Sequence, residues 1–150
     1  MTPQDPILRA FERIVRHDPL APLVASPERR ATTGDVDALA RAAGTVLRDG
    51  TLALGTVVGL AAANGPGFLA SVVALRRAGL AVLLLDARTP DSEALRILGS
   101  LGAPALLRCP GGWPAGPRDW TFTALDTIAA AEPAHPAEPE IGFIKLTSGS

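Results

Sequence analysis

The sequence is poor in the residues that staple, anchor or decorate small proteins. In 150 residues it has no tyrosine, one methionine, one cysteine and two histidines. A single cysteine, Cys109, excludes an internal disulfide framework and a cysteine-built zinc site. His17 and His135 lie far apart in sequence with no partner at ligand spacing, so no metal site is read from them. Charge of one sign is also missing. Lys+Arg number 14 against 15 Asp+Glu, a formal net charge of −1, which excludes a charge-driven nucleic-acid binder and a polybasic membrane module. No apolar run reaches the roughly 18 residues that span a bilayer. The stretch from Met1 to Pro19 carries charges throughout, unlike a secretory signal. Together these features lead us to expect a cytoplasmic protein.

What is present is apolar substance. Hydrophobic residues make up 47% and charged residues 19%, so a packed core in one domain over residues 1–150 is expected. Ile7, Leu8, Phe11, Ile14 and Val15 recur at helical spacing and predict an amphipathic helix ended by Asp18-Pro19. Leu23–Ala25 reads as a short strand, with Glu28-Arg29-Arg30 as its turn. Thr32-Thr33-Gly34-Asp35 reads as a capping box. It opens a helix whose apolar face is Val36, Leu39, Ala40, Ala43, Val46 and Leu47, stopped by Asp49-Gly50.

Thr56–Ala62 predicts a buried strand, Asn64-Gly65-Pro66-Gly67 a turn, and Phe68–Ala78 a helix ended by Gly79. Leu80–Leu85 is a continuous apolar run, the mark of a strand covered on both faces, with Asp86 at its end. Thr89-Pro90 is expected to act as a cap followed by proline at the first helical position. That helix runs to about Leu101 with Leu95, Leu98 and Leu101 inward. Ala105–Leu107 is a further strand. The order β-α-β-α-β predicts a Rossmann-like α/β fold, a parallel sheet with flanking helices. Pro-rich loops follow near 109–118 and 131–139, with a weak strand over Thr121–Leu125 between them.

Two places offer nucleotide chemistry. Gly65-Pro66-Gly67-Phe68-Leu69-Ala70 fits G-x-G-x-x-G/A between a strand and a helix, with Asp86 about 20 residues on, the pattern of a dinucleotide-binding turn. A hydride-transfer protein is therefore one reading. Against it, Pro66 removes a backbone N–H from the turn that would face the pyrophosphate. The second place is the end of the chain, Ile141-Gly142-Phe143-Ile144-Lys145-Leu146-Thr147-Ser148-Gly149-Ser150. A strand runs into a hydroxyl- and glycine-rich loop. The hydroxyls of Thr147, Ser148 and Ser150 can donate to phosphate oxygens, and the backbone at Gly149 can turn N–H groups into a concave nest.

Phe143–Ser150 resembles the opening of the phosphate loop of the adenylate-forming enzymes, the superfamily of acyl-CoA synthetases, peptide-synthetase adenylation domains and luciferases. Two upstream segments fall in the same order. Ala31-Thr32-Thr33-Gly34-Asp35-Val36 is similar to the family's Leu-Thr-Tyr-x-Glu-Leu signature, with Thr33 at the tyrosine position. Arg77–Asp86 is similar to Lys-Ala-Gly-x-Ala-Tyr-x-Pro-x-Asp, with Leu84 in place of proline. Asn64–Phe68 stands where the family has Asn-Ser-x-Glu-Phe.

The resemblance covers nearly the whole chain. It implies the incomplete N-terminal part of the large domain of an adenylate-forming enzyme, with the sequence stopping inside its phosphate loop. It implies a ligase that activates a carboxylic acid with ATP and Mg²⁺ and passes it to a thiol, that of CoA or of carrier-protein phosphopantetheine. Ile144-Lys145-Leu146, without a tyrosine, leans towards acyl-CoA-synthetase-like members. On this sequence the ATP site maps to Thr147, Ser148, Gly149 and Ser150. No catalytic or metal-binding residue is assigned, and Lys145 is read as an ordinary strand lysine. The 150 residues alone are expected to be inactive and to expose apolar surface. A short non-catalytic binding protein of the same fold is the remaining alternative. Cys109 is read as a bland loop thiol, and Arg29-Arg30 and Arg76-Arg77 as solvated faces.

Overall fold

The computed structural model describes residues 5–47, 52–125 and the backbone of 143–145. The first helix, α1 (Pro6–His17), starts where Asp5 Oδ1 accepts from the Ile7 and Leu8 N–H groups at 2.9 and 3.2 Å. Its stop is the predicted one, at Asp18-Pro19. Strands β1 (Pro22–Ala25) and β2 (Arg30–Thr32) form a small antiparallel hairpin. The sequence reading anticipated only the first of them and put Arg30 in the turn. The hairpin hands the chain to α2 (Thr33–Leu47) through the expected capping box. Thr32 N–H donates to Asp35 Oδ2 at 2.8 Å, and Asp35 N–H donates to Thr32 Oγ1 at 3.1 Å. The predicted stop at Asp49-Gly50 lies outside the described residues.

The main sheet is built from β3 (Val57–Ala62), β4 (Ala81–Leu85), β5 (Ala105–Cys109), β6 (Thr121–Ala124) and β7 (Phe143–Lys145), in the order β6-β5-β3-β4-β7. The pairs β3–β4, β3–β5 and β4–β7 are parallel. The strands of the expected β-α-β-α-β order are parallel, and one antiparallel edge is added to them. β6 is antiparallel to β5.

Alternation along the strands sorts side chains between two faces. Val58, Leu60 and Ala62 of β3, with Val82 of β4 and Leu107 of β5, join the larger core. Above it lies α3 (Pro66–Arg77), with α2 against it. Ala61, Leu83 and Leu106 face the other side and meet Ala94 and Leu98 of α4 (Asp91–Ser100). Gly59 makes that approach possible, since a Cβ there would stand 2.7 Å from a Leu98 methyl.

Two helices differ from expectation. α3 runs Pro66–Arg77 rather than Phe68–Ala78, and Ala70, Ser71 and Ala74 are buried as well as Val72, Val73 and Leu75. The small residues let it fit between the sheet and α2. α4 begins at Asp91 with Pro90 as its cap residue, one position later than predicted. Thr89 instead accepts at its carbonyl from Arg108 Nη2 at 2.7 Å. Leu101 falls just past the helix and is 43% exposed, so Leu98 carries that face.

Candidate functional site

Open α/β sheets bind ligands at the carboxyl ends of their strands, in the crevice where successive connections leave in opposite directions. Here β3 leads to β4 on one side, and β4 leads back across to β5 on the other. The crevice therefore lies between the ends of β3 and β5, where Gly65–Ala70 offers its dinucleotide pattern.

That crevice is filled. Ala63 N–H donates to the Cys109 carbonyl at 3.1 Å, and Gly67 N–H donates to the Gly112 carbonyl at 3.2 Å. A Cβ on Gly65 would fall on the Gly112 carbonyl, and one on Gly112 would fall on the Asn64 carbonyl. The N-terminus of α3, which a pyrophosphate would need, is thus capped by the protein's own 110–114 loop. The glycine pair serves this backbone-to-backbone contact and leaves no cradle for a dinucleotide. Asp86 is likewise engaged locally, accepting from Arg88 N–H at 2.8 Å and lying 3.2 Å from Arg88 Nη2.

Under the loop is a buried polar chain. Trp120 Nε1 donates to Ser71 Oγ at 2.8 Å, and Ser71 Oγ donates to the Gly67 carbonyl at 2.6 Å. Cys109 is the last residue of β5 and fully buried, not in a loop as the sequence reading had it. Burial, and secondarily the Asp119 charge, push its thiol up to about 11. Its thiol meets the Gly111 carbonyl at 3.3 Å. A thiol so placed is neither nucleophile nor ligand.

The other carboxyl-end position is the β4–β7 pair. The register partners are Val82 with Phe143, Leu83 with Ile144 and Leu84 with Lys145. The chain thus leaves β7 at the carboxyl end of the sheet, beside the turn that opens at Asp86. Thr147, Ser148, Gly149 and Ser150 themselves lie outside the described residues, as does His135. Lys145 stands in β7, as expected of a strand lysine.

Of the two arginine pairs expected to be solvated, Arg29 and Arg30 are exposed, whereas Arg76 and Arg77 are not. Arg76 Nε donates to Asp5 Oδ2 at 2.6 Å and its Nη1 to the Leu80 carbonyl at 2.9 Å. Arg77 donates to Glu12 at 2.7 Å and to Asp37 at 2.5 Å, and stands 5.7 Å over the Phe11 ring. These pairs tie α1 and α2 to α3. Arg29 lies over Trp113 at 5.7 Å. A third arginine escaped notice altogether. Arg108 projects from β5 and donates Nη1 to the Ala87 carbonyl at 3.0 Å and Nη2 to the Thr89 carbonyl at 2.7 Å. Its Nε stands 2.8 Å from Asp91 Oδ1, an ion pair without an aligned hydrogen bond. The available signal was a lone charge inside the apolar run Leu106-Leu107-Arg108-Cys109.

A family model described as AMP-binding enzyme matches residues 11–146. The chain is similar to the nonribosomal peptide synthetase FmoA3, with 27% identity and a TM-score of 0.69 over 99% of this chain and 17% of that one. Against the AMPPNP-bound form of FmoA3 the identity is 28% and the TM-score 0.64, over 91% and 15%. The N-terminal subdomain of Klebsiella oxytoca NpsA shares the fold at 20% identity and a TM-score of 0.58, over 87% of this chain and 35% of that one. The chain therefore spans a minor part of the length of each of these proteins. No curated protein matches it.

Proposed function

The chain belongs to the AMP-binding enzyme family, and on that premise we propose that it supplies the N-terminal part of an ATP-dependent acid ligase. In the first step a carboxylate oxygen attacks the α-phosphorus of ATP. The bond to the bridging oxygen breaks, and pyrophosphate leaves with its electron pair. In the second step a thiol takes the acyl group and AMP departs. The hydroxyls of Thr147, Ser148 and Ser150 donate to β- and γ-phosphate oxygens, and Gly149 frees backbone N–H groups to do the same. They hold the leaving group while charge builds on it.

The observation that supports this reading is the parallel pairing of β7 with β4. β7 ends at Lys145, at the carboxyl end of the sheet where α/β folds bind ligands, and Thr147 follows two residues later in the sequence, whereas the competing crevice is filled. Among the described residues no group of three or more His, Cys, Asp or Glu is arranged to hold a metal ion, so they offer Mg²⁺ no cage of their own. The likeness to a nonribosomal peptide synthetase at 27–28% identity favours carrier-protein phosphopantetheine as the acceptor. Ile144-Lys145-Leu146 favours CoA, the second reading. A cytoplasmic setting goes with either. No helix of the described residues is long and apolar enough to cross a membrane.

The test is acid-dependent exchange of labelled pyrophosphate into ATP by the full-length protein, across amino, aryl and fatty acids. Exchange with a narrow set of acids is expected. Ser148→Ala is expected to lower it at least about tenfold. The 150 residues alone are expected to show none, since they hold one loop of the ATP site. ATP binding without exchange for any acid would favour the non-catalytic alternative.

A further inference from the structure

No further inference is drawn: the strongest candidate, the outward surface patch of α1 on which Arg9, Arg13 and Arg16 stand exposed beside Ile7 and Ile14, carries nothing, because nothing in the structure shows what covers it.

Discussion

At the scale of single residues, Gly65 decides which ligand chemistry the protein can have. Its φ of +141° lies in a region that side chains rarely adopt. Its missing Cβ leaves room for the Gly112 carbonyl, which caps α3. The same glycine that reads as a dinucleotide fingerprint is therefore what lets the protein close that site. Gly65→Ala is expected to destabilise the protein by at least about 2 kcal/mol in denaturant unfolding, since backbone strain and a clash with backbone add. A near-neutral effect would mean that the 110–114 loop does not seal the crevice. The motif is legible in sequence, but its occupant is not, because Gly112 lies 47 residues later and only folding brings it there.

At the scale of elements, the helices are held by different forces. The start of α2 is local, and its capping box was readable from four consecutive residues. Thr32→Ala should cost about 1 kcal/mol by chemical denaturation. α1 is not local in the same way. It buries only Phe11, and leaves Ile7 61% exposed and Ile14 40% exposed, so ion pairs contribute much of its attachment. Burial raises the Asp5 carboxyl, but Arg76 and the Leu8 and Ile7 N–H groups outweigh this and hold it below its ordinary 3.8. Burial likewise raises Asp37, and Arg77 with Arg41 outweighs it. A carboxyl lowered by folding contributes stability above its unfolded value and loses it as pH falls through the folded one. Hydrogen-exchange protection in α1 should therefore be steady at neutral pH and fall below about pH 4, while β3 stays protected. Arg77→Met should weaken α1 protection already at neutral pH.

At the scale of the whole molecule, strand order ranks the parts. β3 is paired on both sides and covered by α3 on one face and α4 on the other. β6 is paired on one side, and three of its four residues are exposed. Native-state hydrogen exchange should find the β3 amides slowest, near the global unfolding limit, and those of β6 and α1 much faster. Uniform protection across the sheet would contradict this ordering. The ligase proposal sits at the carboxyl ends of β4 and β7, on the far side of β3 from the filled crevice. Ile7, Leu20 and Leu54 are the most exposed large hydrophobics among the described residues, and they lie outside the main sheet.

The sequence by itself determined what depends on near neighbours in the chain. Apolar periodicity, the capping box and the glycine stops specify elements, because the backbone dihedrals and hydrogen bonds involved lie within a few residues. The hydroxyl-rich end of the chain and its family resemblance came from the same local reading. Tertiary structure alone decided the antiparallel edge, the filling of the crevice, and the use of arginines 76, 77 and 108 as internal clamps. Each of these joins residues far apart in the chain. A guanidinium is soluble in water and useful inside only when acceptors converge on it. Composition counts the arginines, and only the fold supplies Asp5, Asp37 and the carbonyls of Ala87 and Thr89 at the right distance.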